Sequence, residues 1–226
     1  MLSCGTNKVT RKRSVDTMVM NIFLNGVPKG SIDGPLNQIC FDLQDAVHDE
    51  IRGYLVYQNS CWNFVGVNQY LAYPHNEHYQ KLALILESPH KDEYSDGYIP
   101  LRPANGRTGS NINKKLSNRS FAYKLDTRFD YQVLIMNPIQ IQCSCYHQFT
   151  NKGIPCTASN TRKVFRFLFN AKKCNLRADF ILRLKKYNPN FVLNCSTSSL
   201  KPIIETAIQN ALSHKSNAQD IHPSVW

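Results

Sequence analysis

A chain of 226 residues with 42% hydrophobic content carries enough apolar material for a full core, and its length suits one domain better than two. Its 27 Lys and Arg against 16 Asp and Glu leave a net charge of +11, which fits a polyanionic partner such as nucleic acid, or simply a well-solvated basic protein. No stretch approaches the roughly 18 apolar residues of a membrane helix, and the opening MLSCGTNKVTRKRSVDTMVM has no secretory apolar run. A soluble protein with no membrane partner is expected, cytoplasmic in a bacterium or otherwise intracellular. The eight cysteines follow no disulfide rhythm and form no C-x-x-C pair, so reduced thiols are expected. Zinc on Cys143, Cys145, His147 and Cys156 is the competing use of four metal-capable residues, but C-x-C spacing is unusual for structural zinc.

Residues 1 to 20 read as a basic arm, with Lys8, Arg11, Lys12 and Arg13 able to meet phosphates or merely to aid solubility. Residues 21 to 226 form the single domain, without internal repeats. From Pro35 to Arg52 the apolar residues Leu36, Ile39, Cys40, Leu43, Val47 and Ile51 recur at helical spacing, interleaved with Asp42, Asp45 and Glu50, which predicts an amphipathic helix. Gly53 to Pro74 is aromatic and β-branched, broken by turn formers, and reads as strands or extended loops.

Beyond it, apolar runs alternate with helix-compatible stretches. The runs are Leu82–Leu86, Tyr131–Met136, Phe191–Leu193 and the weaker Ala218–Ile221. Helices are expected near Gly109–Leu116, Thr161–Phe169, Leu176–Tyr187 and Ser199–Leu212. Strands this apolar between helices predict an α/β fold, with three α/β/α layers around a mostly parallel four-stranded sheet. Ligands of such sheets sit beyond the carboxyl ends of the strands. Those places hold Glu87-Ser88-Pro89-His90-Lys91, Asn137-Pro138, Asn194-Cys195-Ser196-Thr197 and His222-Pro223-Ser224.

The identities and order of these residues resemble the uracil-DNA glycosylase superfamily over Leu82 to Trp226. ESPHKDE, Glu87 to Glu93, is similar to the E-A-P-G-x-D-E loop of its iron-sulfur branch. RPANGRTG, Arg102 to Gly109, agrees with that branch's R-P-F-V-G-R-A-G at five of eight positions. VLIMNPIQI, Val133 to Ile141, resembles the strand and Asn of the main uracil-excising branch, and HPS, His222 to Ser224, its closing motif.

The resemblance implies an enzyme that flips a pyrimidine nucleotide out of DNA and hydrolyses its N-glycosidic bond, leaving an abasic site. Bond breaking puts positive charge on the sugar and negative charge on the base, so a carboxylate or held water is needed at one and donors at the other. By motif, Glu87 would activate the water, Asn137 would read the base edge and His222 would donate to a base carbonyl. Each also has a structural use: a loop-capping carboxylate, a turn before Pro138, a satisfied histidine. Ser88, Pro89, His90 and Ala104 would complete the base pocket. Gly106, Arg107, Thr108 and Gly109, opening a helix, would approach a phosphate, with Lys114, Lys115, Arg119, Lys124 and Lys201 extending the basic surface. Ser224, Val225 and Trp226 fall where the superfamily carries its minor-groove wedge, though Trp226 could equally pack on the fold.

Several departures bear on substrate. Ser88 stands where the main uracil-excising branch has Asp, leaving Glu87, with Asp92 or Glu93 as substitutes. Ala104 replaces the stacking Phe, and His90 the Tyr that excludes larger pyrimidines. A roomier pocket points to a bulky modified base, such as the glucosylated hydroxymethylcytosine of phage DNA, and hence to anti-phage defence. The N-terminal cysteine pair of the iron-sulfur branch is missing, so no cluster and no other cofactor is expected. A monomer acting on DNA is expected. The alternatives are a uracil or damaged-base repair glycosylase, an inactive DNA-binding module, and an unrelated nucleotide-processing enzyme, for which GRTG lacks the P-loop ending.

Overall fold

Leu82, Ala83, Leu84, Ile85 and Leu86 are all buried, as only a strand covered on both faces can be. A computed structural model describes residues 46–71, 78–95, 99–141, 143, 158–170, 175–213 and 216–226. All but Leu86 of this apolar run lie in one strand in the interior of the sheet. The elements in chain order are β1 (Glu50–Gln58), β2 (Cys61–Gly66), α1 (Val67–Leu71), β3 (Tyr79–Ile85), α2 (Arg107–Ser120), β4 (Asp130–Met136), α3 (Ala158–Asn170), α4 (Leu176–Tyr187), β5 (Phe191–Asn194), α5 (Lys201–Ala211) and β6 (Ser216–Gln219).

The strands lie in the order β2-β1-β4-β3-β5-β6. β4, β3, β5 and β6 run parallel, while β1 pairs antiparallel with both β4 and β2. The sheet is therefore mixed and six-stranded, not four-stranded as the apolar runs predicted. The two additional strands come from the aromatic segment around Gly53 to Pro74, whose tight turn at Asn59 and Ser60 has positive φ at both residues. That geometry matches the right-handed twist of a hairpin. The helix predicted to reach Arg52 is overturned at its end, because Glu50, Ile51 and Arg52 belong to β1; residues 35–45 lie outside the described residues, as does the basic arm. The last strand is also shifted, ending at Gln219 rather than Ile221.

Alternation along β3 splits the core. Ala83 and Ile85 face a cluster with Phe165, Phe169, Phe180, Leu184 and Ile204 from α3, α4 and α5. Leu82 and Leu84 face the other side, against Ile112 and Leu116 of α2, Trp62 and Trp226. Helices thus cover both faces, and the connections leaving β3 and β5 lie on opposite sides, α2 on one and α5 on the other. They diverge at the crevice between β3 and β5, where open α/β sheets bind their ligands. No helix among the described residues is long and apolar enough to cross a membrane.

Candidate functional site

The crevice is bridged where the Thr197 N–H, just after β5, donates to Glu87 Oε1, just after β3, at 2.5 Å. Around Glu87 lies a cavity of about 460 Å³ lined by Leu86, Ser88, His90, Asp92, Glu93, Gly106, Arg107, Thr108, His222 and Ser224. Its size falls within the range of small-molecule sites. Residues from the ends of β3, the start of α2 and the chain after β6 thus share one hollow.

His222 caps a 3-10 turn at Pro223–Val225. The Ser224 N–H lies 3.2 Å from His222 Nδ1, and Ser224 Oγ 2.9 Å from the same atom. A backbone N–H can only donate, so Nδ1 is the acceptor and the proton of the neutral ring sits on Nε2. Burial holds the His222 pKa below its ordinary value, while the Glu87 carboxylate pulls the other way. The ring is therefore neutral at physiological pH. Its loop is anchored from behind: Arg119 Nε donates to Asp220 Oδ2 at 2.7 Å, and the Tyr123 hydroxyl also donates to that carboxylate. Burial raises the Asp220 pKa, but these partners and the Ile221 N–H together hold it below the usual range.

Glu93 joins Glu87 and Asp92 as a carboxyl of the cavity and is only 4% exposed. Its Oε1 accepts from the His90 N–H at 3.2 Å, its Oε2 lies 3.4 Å from Asn137 Nδ2, and the Ala104 N–H also reaches it. Burial pushes its pKa up to about 7, against the pull of these donors and of Arg52. Arg52 is there because β1 slips register against β4 between Ile51 and Gly53. The extra residue of such a bulge is re-aimed, and the Arg52 guanidinium donates to the carbonyls of Pro103 and Ala104. The loop before α2 is thus tied to the sheet by a residue that composition alone would place on the surface.

The remaining expected site residues separate into two groups. Ser88, His90, Gly106, Arg107, Thr108 and Ser224 line the cavity with Glu87 and His222. Asn137 does not: it is 1% exposed and sits behind Glu93, its Oδ1 without a hydrogen-bond partner. Pro89 is buried and outside the lining. Ala104 is a core residue in left-handed conformation, φ 52°, so its small size does not widen the cavity wall. The wall nonetheless contains no Phe, Tyr or Trp among the described residues.

Gly109 packs against the loop instead of presenting its amide to solvent; a Cβ there would lie 1.8 Å from the Ala104 carbonyl oxygen. Gly109→Ala is accordingly expected to destabilise the fold by about 1–3 kcal/mol through overpacking, measurable by urea unfolding, and to disturb Glu93 through the Ala104 N–H. The Asp92 carboxylate lies beside Gly106, at the start of α2, where it complements the helix dipole. Lys114 is exposed, but Lys201 Nζ is committed to the Asp220 carbonyl at 2.5 Å. Trp226 is no wedge: it is buried in the core, donates from Nε1 to the Ile221 carbonyl at 2.9 Å and lies under Arg119. Val225 is the apolar residue left exposed there, at 65%.

Of the four candidate zinc ligands, Cys143 is a buried thiol whose pKa burial raises to about 12, and Cys145, His147 and Cys156 lie outside the described residues. Glu93 and Arg52 are what sequence reasoning underweighted; the first was visible in the ESPHKDE run, while nothing local marked the second. Compared with protein-family models, curated proteins and solved structures, the chain matches none.

Proposed function

We propose that this chain is a DNA glycosylase using uracil-DNA-glycosylase-like chemistry to hydrolyse the N-glycosidic bond of a flipped pyrimidine nucleotide. The observation that carries the reading is the meeting of Glu87, after the central strand, with a neutral His222, near the other end of the chain, in one cavity at the sheet's switch point. Glu87 holds and deprotonates the attacking water. The His222 Nε2–H donates to a base carbonyl as negative charge accumulates there, a role that a neutral imidazole fills without an added counterion. Asn137, set back behind Glu93, acts on the base edge through that carboxyl and not directly.

Arg107 and Thr108, at the start of α2, together with exposed Lys114 supply backbone contacts to the DNA. Val225 takes the place of Trp226 as the residue able to enter the vacated stack. A wall without aromatic rings and with three carboxyl groups favours a base bearing polar substituents over plain uracil. A glucosylated hydroxymethylcytosine of phage DNA, and with it a defensive role, is the substrate proposed.

The test is mass spectrometry of bases released from duplexes containing uracil, methylated cytosine, hydroxymethylcytosine and its glucosylated form. Release of a modified cytosine with an abasic product is expected. Release of uracil alone overturns the substrate proposal, and no release from any duplex overturns the glycosylase reading. Binding to the same duplexes is expected to weaken steeply with salt, with log K falling by about 0.9 per phosphate contact per unit of log salt.

A further inference from the structure

Of the three carboxyls lining the cavity, Glu87 and Glu93 stand in unlike surroundings. Glu87 is half-buried and tied by one backbone N–H, whereas Glu93 is enclosed by its own loop, by Asn137 and by Arg52. Paired carboxyls in contrasting environments divide acid and base roles between them. We infer that Glu93 is the acid that protonates the departing base, so that the site is equipped for a pyrimidine whose anion leaves poorly, as a 4-amino pyrimidine does relative to uracil. The inference rests on the glycosylase reading and adds to it a leaving-group step.

Asn137 suits this role because an amide can serve either state of its neighbour. Its Nδ2 donates to ionised Glu93, and its Oδ1, which has no partner in the present arrangement, can accept the O–H of the protonated carboxyl once the amide turns over. The groups facing Glu93 are Arg52 from β1, His90 and Asp92 from its own loop, and Glu87, Arg107 and His222 across the cavity. Burial outweighs the cations among them and keeps a large share of Glu93 protonated at neutral pH. In the reaction the C1′–N1 bond breaks with its electron pair passing to the base, which takes the Glu93 proton. A water oxygen bonds to C1′ and gives its proton to Glu87. The two carboxyls then exchange protons with solvent.

The test compares wild type with Glu93→Gln, which keeps the outline and removes the acid, in single-turnover release from duplexes carrying 5-fluorouracil, 5-hydroxymethyluracil and 5-hydroxymethylcytosine. The variant is expected to lose about 10²- to 10⁴-fold on the 4-amino base and little on 5-fluorouracil, whose anion leaves readily. Wild-type release of the 4-amino base is expected to fall about tenfold per pH unit above 7, a limb absent from the variant. A loss equal for all three bases overturns the inference while leaving the glycosylase reading intact, as does wild-type release of the uracils alone. Carboxyl NMR titration of the unliganded protein, assigned with Glu93→Gln, reads the acid without turnover: a midpoint near 7 supports it, and one in the ordinary carboxylate range overturns it. Absence of release from every duplex ends the glycosylase reading and this role with it.

Discussion

Glu87→Gln is expected to lower the rate of base release by about 10²- to 10⁴-fold while leaving DNA affinity within a few-fold of wild type. The substitution separates two duties of one side chain. Glu87 Oε1 accepts the Thr197 N–H and so joins the loops after β3 and β5; glutamine keeps a carbonyl oxygen able to accept that bond. What it lacks is the negative charge and the capacity to take a proton from water, both of which matter only as the sugar becomes cationic. Glu87→Ala removes both duties and is expected to lose stability as well as rate. Single-turnover release and fluorescence anisotropy on one duplex make the comparison. If Glu87→Gln releases base at the wild-type rate while Asp92→Asn is inactive, the water belongs to Asp92 and the assignment of Glu87 fails.

The legible part of the fold was the part written in apolar runs. β3, β4, β5 and the helices around them are buried enough that composition and period locate them within a few residues. The hairpin of β1 and β2 was harder, because β2 has a partly solvated face and the pairing of β1 with β4 depends on contacts distant in sequence. Helical spacing through Ile51 misled because Glu50 and Ile51 pair with β4, and tertiary pairing overrode the local period. At the site, Glu87 and His222 could be picked from strand ends and motif order. The placement of Ala104 in the core, Trp226 beneath Arg119 and Lys201 on a carbonyl could not, since each depends on which face of a turn the backbone presents. Arg52 was invisible for a related reason: a bulge, not a motif, aims it at the loop that holds Glu93.

Asp49→Ala is expected to cost about 1.5–3 kcal/mol of folding stability, the usual worth of hydrogen bonds to a charged group. The side chain of Asp49 is 1% exposed and that of Arg183 14%, with both Asp49 oxygens 2.8 Å from Arg183 Nη1. Burial raises the Asp49 pKa in spite of Arg183, so desolvation of the carboxylate outweighs the attraction. The penalty of the single substitution comes from taking two charge-assisted hydrogen bonds from a buried guanidinium that keeps Asp179 at 2.7 Å, and Asp49→Leu with Arg183→Met is expected to recover most of it. The sign with pH follows from the same shift. A carboxyl with a raised folded pKa binds its proton more tightly in the folded state, so its contribution declines as pH rises through that pKa. Asp49→Asn is accordingly expected to gain on wild type over that interval. Recovery of stability is not recovery of the site, however. Arg183 Nη2 also donates to the carbonyls of Asn137 and Pro138, at 3.0 and 3.3 Å, and so fixes the residue that backs Glu93. The double variant is expected to fold nearly as well as wild type by urea denaturation yet to release base more slowly. A single substitution costing less than about 1 kcal/mol would place the pair among weakly coupled surface bridges and would remove the link from helix α4 to the cavity.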